Sequence, residues 1–254
     1  MPITNSTSRF SDRVDNYVRY RPTYPAAVLT LLQDRTALQP ASAIADIGSG
    51  TGISAQLFLQ NGNIVFGIEP NAAMREAAET QLRQPNFHSI TGTAETTTLP
   101  AQSVDYIVAA QAFHWFDQAK ARQEFARILR PHGWIVLMWN SRRTESTDFL
   151  KAYEALLQAY GTDYQEIRHS NNREEDLRSF FSGSVEVESL YNEQLFDFEG
   201  LKGRLLSSSY APNPEHPQHK PMIQALKAVF EQYEEQGQVR FEYDTKVYFG
   251  CLGL

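Results

Sequence analysis

The sequence predicts an α/β fold in which a mostly parallel β-sheet carries helices on both faces. From about residue 44 to residue 139, short apolar runs rich in β-branched residues alternate with segments whose apolar residues recur at three-to-four spacing. This alternation is typical of successive β-α units. Glycine and proline stand at nearly every junction between the segments. Two later alternating runs are expected to pair antiparallel and close the sheet, which gives seven strands in all.

The individual elements follow from the same patterns. The predicted parallel strands and their crossover helices occupy residues 43–47, 64–69, 87–91, 104–109 and 134–139, and residues 53–60, 71–84 and 119–129. Pro25 introduces a short helix at residues 26–33, a position that suits proline. After the fifth strand we expect a helix at 148–160, a polar insertion or lid at 162–178, helices at 199–206 and 222–236, and the antiparallel strands at 185–196 and 238–248.

Length and composition are those of one folded unit. With 254 residues and 42% hydrophobic content, the chain can build a full core. We predict a single domain over residues 1–254, with a helical leader or lid at 1–35, a ligand-binding core at 40–140 and a sheet-closing part with the insertion at 141–254. The one cysteine, Cys251, cannot pair within the chain, and no cluster of Cys, His and carboxylate residues has metal-ligand spacing. We therefore expect neither a disulfide nor a metal site.

Charge and hydropathy bear on the possible partners. The formal net charge of −7 disfavours general binding to a phosphate backbone, so we expect no nucleic-acid partner. The polar N-terminus and the absence of a long apolar stretch predict no export signal and no membrane insertion. These features favour a cytoplasmic location.

An acid and three alternate glycines join the first predicted strand to the first helix. Asp46 is followed by Gly48, Gly50 and Gly52, and glycine lets a backbone turn sharply and approach a ligand closely. The spacing differs from the dinucleotide pattern G-x-G-x-x-G, and no lysine follows as in a P-loop. An acid at this strand end favours a ligand with an ammonium group and repels a pyrophosphate. A tight turn without a ligand is the alternative.

Glu69 ends the second predicted strand. A carboxylate at that place can accept hydrogen bonds from both hydroxyls of a ribose. The alternative is a solvated acid that opens the next helix, since acids are common in first helical turns. Because Asp46 and Glu69 both stand at strand ends, the sequence favours the ligand.

With these motifs the chain resembles the class I S-adenosylmethionine-dependent methyltransferases. More narrowly, it is similar to the small-molecule branch that includes ubiquinone and menaquinone C-methyltransferases and trans-aconitate methyltransferases. The similarity extends over residues 46–52, Glu69 with Pro70, Met74, residues 92–100, Ser103, Asp105, Gln111, His114, Trp115, residues 129–133, the leader 20–25 and the tail 247–250. The resemblance implies a Rossmann-like fold and S-adenosylmethionine as cofactor.

The resemblance also implies roles for residues of the cofactor site. Backbone groups at the glycine turn hold the methionine portion with Asp46, and Glu69 takes the ribose hydroxyls. Many relatives have Asp where this chain has Thr93, so the acceptor for the adenine amino group stays open between Glu95 and a backbone carbonyl. The residues implied to bind the cofactor are Asp46, Gly48, Ser49, Gly50, Gly52, Glu69, Met74, Thr93, Ala94, Glu95 and Gln111.

The methyl acceptor is expected to be a small molecule that presents a carboxylate or a hydroxyl. His114 is the candidate catalytic base, with a purely structural histidine as the alternative. Arg142 and Arg143 follow the fifth strand, where a guanidinium fork can hold an acidic substrate, although solvated loop arginines are equally common. The candidate substrate-binding residues are Tyr17, Tyr20, Arg21, Trp115, Arg142 and Arg143.

Three other functions compete with methyl transfer. A nicotinamide-dependent oxidoreductase is disfavoured by the glycine spacing. A nucleic-acid methyltransferase is disfavoured by the acidic balance and by residues 111–116, which lack an Asn/Asp-Pro-Pro-Tyr-like motif. A protein that binds S-adenosylmethionine without catalysis has the same cofactor motifs but a closed acceptor pocket. The sequence leaves the oligomeric state open.

Overall fold

In the computed structural model, the described residues are 19–162, 164, 174–181 and 185–252. Within them seven strands form one sheet in the order β3-β2-β1-β4-β5-β7-β6. The strands are β1 (Ala43–Ile47), β2 (Ile64–Ile68), β3 (Phe87–Ile90), β4 (Val104–Ala110), β5 (Leu129–Arg142), β6 (Glu186–Phe196) and β7 (Val239–Gly250). The helices are α1 (Ala27–Thr36), α2 (Ile53–Gln60), α3 (Ala72–Gln81), α4 (Gln118–Ile128), α5 (Asp148–Tyr160), α6 (Glu174–Phe181), α7 (Phe198–Leu206) and α8 (His219–Tyr233), with a 3-10 turn at Phe113–Trp115.

Strand pairing confirms the predicted fold class. β1 pairs in parallel with β2 and β4, β2 with β3, and β4 with β5. β7 pairs antiparallel with both β5 and β6, so it closes the sheet as predicted. The chain runs outward from β1 to β3 and then crosses back to β4. This reversal makes the β1–β4 junction the place where open α/β sheets bind ligands.

Several element boundaries differ from the sequence prediction, and for β5 and α3 the reason is identifiable. β5 is longer than the predicted 134–139 at both ends, because its pairing with β4 begins at Leu129 and its pairing with β7 continues to Arg142. α3 is shorter than the predicted 71–84. Asn71 caps its start by accepting a hydrogen bond from the backbone N–H of Met74, and Leu82 leaves helical geometry.

Among the described residues the core consists of three hydrophobic clusters, two of which lie on the faces of the sheet. Along β1 the side chains alternate between those two clusters, with Ala45 and Ile47 in one and Ile44 in the other, as the pleat of a strand requires. The third cluster packs α5, α7 and α8 against the first half of β7. It places the end of α7 beside the sheet edge where the ligand site lies.

The predicted insertion is described only in part. Residues 163 and 165–173 of the insertion and Tyr17 of the predicted leader lie outside the described residues. The final part of the insertion forms α6, whose Leu177, Phe180 and Phe181 are buried in one sheet-face cluster. This helix therefore belongs to the core packing. Within the described part of the chain, no helix combines the length and the apolar character needed to cross a bilayer.

Candidate active site

Two adjoining cavities lie at the carboxyl ends of β1, β2 and β4. The larger has a volume of about 330 Å³ and the smaller about 60 Å³. Both are lined by Gly48, Gly50, Ala110 and Gln111. The site therefore has two compartments that meet at the glycine turn.

The glycine turn brings backbone close to both cavities. Gly48 has φ +67°, and a Cβ added there would lie 2.6 Å from the Cβ of Ala112. Its N–H donates to the carbonyl of Ile68 over 2.8 Å, which fixes the turn to the end of β2. Ser49 lines the smaller cavity. Gly52 lines neither cavity and is the N-cap of α2. A glycine at this position therefore serves the geometry of the turn and the packing around it.

Glu69 connects the turn after β1 with the end of β2. Its carboxylate accepts hydrogen bonds from the backbone N–H of Gly50 at 3.0 Å and of Asn71 at 2.9 Å, and the residue lines the larger cavity. Burial raises the pKa of this carboxyl above its ordinary value, against the lowering effect of the two backbone hydrogen bonds. Glu69 is thus held in a fixed position in the cavity wall. It is not the solvated acid at the start of the next helix that was the alternative.

Asp46 lies beneath the smaller cavity and lines neither one. It is fully buried, and its Oδ2 accepts a hydrogen bond of 2.7 Å from the hydroxyl of Ser54. Its Oδ1 has no hydrogen-bond partner among the described residues. Burial raises the pKa of Asp46 to about 7, and the nearby Glu69 charge adds to this effect while the Ser54 hydrogen bond opposes it. Since Ser54 does line the smaller cavity, its hydroxyl connects the buried Asp46 carboxyl to that cavity.

The far end of the larger cavity is formed by Met74, Thr93, Ala94 and Glu95. Thr93 exchanges two backbone hydrogen bonds with Thr96, at 3.1 and 3.2 Å. Glu95 accepts a hydrogen bond of 2.9 Å from the backbone N–H of Asp117, which precedes α4. These contacts hold the turn after β3 against the start of α4. The structure thus places all four predicted residues in one wall.

Gln111 stands between the two compartments. It has φ +58°, a left-handed conformation that costs a non-glycine residue about 1 kcal/mol or more. Its N–H donates to the carbonyl of Met138, and its Nε2 donates to the carbonyl of Asn140 over 3.1 Å. These two bonds to β5 hold the strained residue in place, where it contacts both cavities.

The aromatic segment after Gln111 divides between core and cavity. Phe113 packs edge-on against Phe180 in the core, whereas Trp115 and Phe116 line the larger cavity. His114 lines neither cavity, and its ring lies 4.8 Å from that of Trp115. Although His114 is exposed on its outer side, desolvation by the protein around the ring lowers its pKa. The structure therefore does not place His114 as a base facing a substrate.

The two arginines predicted after β5 lie outside both cavity linings. Arg142 forms a buried ion pair of 2.5 Å with Glu154 on α5. Arg143 pairs with Asp244 over 2.7 Å and stacks on Tyr191. Both guanidinium groups are engaged in packing the C-terminal half of the sheet, so the geometry does not support their predicted substrate role.

The leader contributes one of its predicted residues to the site. Arg21 lines the smaller cavity and donates from Nη2 to the carbonyl of Ser207 over 3.1 Å. Tyr20 lines neither cavity, because its ring packs against Gly203 on α7. Tyr17 lies outside the described residues.

Several residues of the lining were not predicted from the sequence, and two of them, Asn140 and Arg204, are polar groups of the smaller cavity. Asn140 follows the buried part of β5 and lines the smaller cavity, with its amide donating to the carbonyl of Thr23 in the leader at 3.2 Å. The strand-end rule that selected Asp46 and Glu69 could have selected it too. Arg204 on α7 also lines the smaller cavity, and no local sequence signal marks it.

Residues 45–137 match the family model described as "Methyltransferase domain". These residues form a methyltransferase domain. The domain runs from β1 into β5 and includes the glycine turn, Glu69 and the wall at Thr93 to Glu95. Every described residue that lines the larger cavity lies within it. Arg21, Asn140 and Arg204 of the smaller cavity lie outside it.

Other methyltransferases are similar to this chain in sequence or in fold. An uncharacterized methyltransferase of Mycobacterium tuberculosis is 37% identical over 135 residues, which cover 52% of this chain and 52% of that protein. The chain thus spans about half the length of this curated relative. A candidate type II methyltransferase from Anaeromyxobacter dehalogenans has a TM-score of 0.66 at 22% identity, covering 92% of this chain and 98% of that one. A methyltransferase from Geobacter sulfurreducens, solved with S-adenosylhomocysteine, has a TM-score of 0.51 at 16% identity and covers 98% of both chains. At these identities the structural likeness establishes the fold.

Proposed function

We propose that this chain transfers a methyl group from S-adenosylmethionine to a small-molecule acceptor. One arrangement carries the proposal. Inside the methyltransferase domain, the carboxylate of Glu69 meets the side-chain-free backbone of Gly48 and Gly50 in one cavity. An acid at the end of β2 and a glycine turn at the end of β1 suit a nucleoside with an amino-acid tail.

The residues of the larger cavity fit the cofactor. The volume of about 330 Å³ lies within the range of small-molecule sites. Each carboxylate oxygen of Glu69 accepts one backbone hydrogen bond, and a second lone pair on each stays available for a ribose hydroxyl. Met74 and Ala94 offer apolar surface for an adenine ring. The buried Oδ1 of Asp46, which has no partner among the described residues, is consistent with an ammonium group above Ser54.

The chain's own task in catalysis is to position two groups and to exclude water. When bound, S-adenosylmethionine supplies an electrophilic methyl group. Gln111 stands at the boundary of the two cavities, and Trp115 with Phe116 forms an apolar wall that keeps water away. Alignment of reacting groups can contribute about 7–11 kcal/mol to catalysis. We therefore assign most of the rate enhancement to positioning.

The site favours an acceptor that is already anionic. Among the described residues no histidine lines either cavity, and the acids that do, Glu69 and Glu95, both accept backbone hydrogen bonds. A hydroxyl or amine acceptor needs a base to remove its proton. A carboxylate acceptor needs none. Of the two acceptor classes expected from the sequence, the lining therefore supports the carboxylate.

Calorimetric titration tests the cofactor assignment. We expect the wild-type chain to bind S-adenosylmethionine and not NAD. Glu69→Gln should weaken that binding about tenfold or more, because a hydrogen bond to a charged group contributes about 1.5–3 kcal/mol. Glu79→Gln is the matched control, since Glu79 is an exposed acid on α3 outside both cavities. Binding of NAD, or equal affinities in both variants, would contradict the assignment.

A second measurement separates catalysis from binding alone. The protein is incubated with S-adenosylmethionine and a panel of small carboxylic acids, and S-adenosylhomocysteine is quantified. Release that requires a panel member supports methyl transfer. Binding of the cofactor without release across the panel favours a protein that binds S-adenosylmethionine without catalysis.

A further inference from the structure

We propose that Arg204, together with Arg21, forms a carboxylate-binding site in the smaller cavity. The inference rests on the proposed function, because the carboxylate belongs either to the amino-acid end of the cofactor or to the methyl acceptor. It extends that function to residues outside the methyltransferase domain.

The side chain of Arg204 is a buried cation whose contacts are neutral. The residue is only 7% exposed. Its Nε donates to the hydroxyl of Tyr243 at 3.3 Å, and its Nη1 donates to the hydroxyl of Ser208 at 3.0 Å. Within the described part of the chain, no carboxylate pairs with this guanidinium. Since arginine stays protonated and a buried charge without a counter-charge is costly, this position favours an anionic ligand.

Arg142 provides an internal comparison. Its side chain is similarly buried, at 10% exposure, but it pairs with Glu154 and also donates to the hydroxyl of Tyr164. Arg142 lines neither cavity, whereas Arg204 lines the smaller one. The fold thus gives one buried arginine an internal acid and leaves the other facing an open space.

The smaller cavity is suited to an anion. Its described lining contains Arg21 and Arg204 and no aspartate or glutamate. The larger cavity has the opposite character, since its described lining contains Glu69 and Glu95 and no lysine or arginine. The volume of about 60 Å³ accommodates a group of a few heavy atoms, such as a carboxylate.

The two arginines are held at the same place. Arg21 donates to the carbonyl of Ser207, the residue that caps α7, and Arg204 donates to the next residue, Ser208. The partial negative charge at this helix end offsets part of their repulsion. It supplies no full counter-charge for Arg204, so a carboxylate is the group that suits this position. Arginine is also the side chain best shaped for a two-point hydrogen bond to a carboxylate.

The experiment compares ligands with and without the carboxylate, using the full chain. S-adenosylhomocysteine and 5′-methylthioadenosine share the nucleoside, but only the former has the amino-acid end. In Arg204→Met, a site for the cofactor carboxylate predicts that S-adenosylhomocysteine binds about tenfold or more weakly, while methylthioadenosine binds as in wild type. A site for the acceptor carboxylate predicts unchanged S-adenosylhomocysteine binding. In this second case the wild type loaded with S-adenosylhomocysteine binds malonate or succinate, and Arg204→Met loaded in the same way does not.

Controls separate this inference from folding and from the proposed function. Arg143→Met removes an arginine outside the cavities and should change neither measurement. Retained methylthioadenosine binding shows that Arg204→Met is folded. If it does not fold, Arg204→Lys keeps the charge without the two-point fork and should show the same losses in weaker form. Wild type that binds neither nucleoside refutes the proposed function itself.

The carboxylate site is overturned by one clear result. In that case Arg204→Met keeps the wild-type ratio of the affinities for S-adenosylhomocysteine and methylthioadenosine. It also binds dicarboxylates as the wild type does. A result in which neither protein binds a dicarboxylate counts as the same binding. Arg204 would then serve only to hold α7 against β7 through its hydrogen bond to Tyr243.

Discussion

Removing the carboxylate of Glu154 tests whether Arg142 is structural. The two side chains are 9% and 10% exposed, and the ion pair between them is 2.5 Å long. Tyr164 donates a second hydrogen bond of 2.6 Å to the same carboxylate. Glu154→Gln leaves the Arg142 charge buried without its anion. Breaking such a pair costs about 3–5 kcal/mol, so we expect a loss of this size in the free energy of unfolding.

The loss should also depend on pH. Burial tends to raise the pKa of Glu154, but hydrogen bonds from Tyr164 and Arg142 outweigh it and lower the pKa below its ordinary value. A lowered folded-state pKa contributes stability above the ordinary value of 4.5, and this contribution disappears as the pH falls through the folded-state pKa. The gap between wild type and Glu154→Gln should therefore be widest near neutral pH and narrow in acid.

Urea unfolding at pH 7, followed by circular dichroism, measures this loss. The double variant Arg142→Met/Glu154→Leu should recover most of it, because a buried pair can often be replaced by apolar side chains at little cost. Cofactor binding should be unchanged in both folded variants. If Arg142→Met instead keeps its stability within about 0.5 kcal/mol and loses acceptor turnover, Arg142 is a substrate residue and this reasoning fails.

Three further substitutions test the site. Gly48→Ala places a Cβ 2.6 Å from that of Ala112 at φ +67°, so calorimetry should show a stability loss of about 2 kcal/mol or more and weaker cofactor binding. Asp46 has its pKa raised from 3.8 to about 7, so ligand-free wild type should lose stability as the pH rises through this interval, and Asp46→Asn should remove that slope in denaturation series. Glu124 accepts a hydrogen bond from the backbone N–H of Thr97, and its pKa is lowered from 4.5 to about 2. Wild type should therefore lose stability as the pH falls through this interval, and Glu124→Gln should lack this pH-dependent contribution. Circular dichroism follows the unfolding of both proteins.

Matched control variants accompany these three substitutions. Gly50→Ala introduces strain at φ +55° but meets no atom within 4 Å, so a smaller loss than in Gly48→Ala isolates the steric overlap. Glu76→Gln, on the exposed face of α3, should leave both pH slopes unchanged. Equal losses in the two glycine variants, or pH slopes that persist in Asp46→Asn and Glu124→Gln, would count against these assignments.

Sequence patterns predicted the elements well where the signal is local. The predicted bounds of β1, α2 and α5 agree with the structure at both ends, because each has a clear period and clear boundary residues. The start of α3 depends on the side chain of Asn71 and was also within reach. The C-terminal extension of β5 was not, since it is set by pairing with β7, about a hundred residues further along the chain.

The site was predictable where strand ends define it. Glu69 and the glycine turn have a fixed place in an α/β sheet, so the sequence could assign them. Arg142 and Arg143 follow a strand in the same way, but their partners Glu154 and Asp244 come from distant segments and remove them from the site. Arg204 shows the converse. Nothing local distinguishes it from any charged residue of a helix, and only the packing of α7 beside β7 brings it to the cavity.

The division of charge between the two cavities indicates how ligands are oriented. The charged residues described in the larger cavity are acids of the methyltransferase domain, whereas the arginines of the smaller one come from the leader and from α7. Opposite fields on either side of Gln111 favour one direction of binding for a ligand with a neutral or cationic body and an anionic end. Because Arg21 and Arg204 lie outside the residues that match the family model, replacing them leaves the lining of the larger cavity unchanged. Substitution of Asn140 or Arg204 should therefore change the preference for the anionic end of a ligand more than the affinity for its nucleoside part.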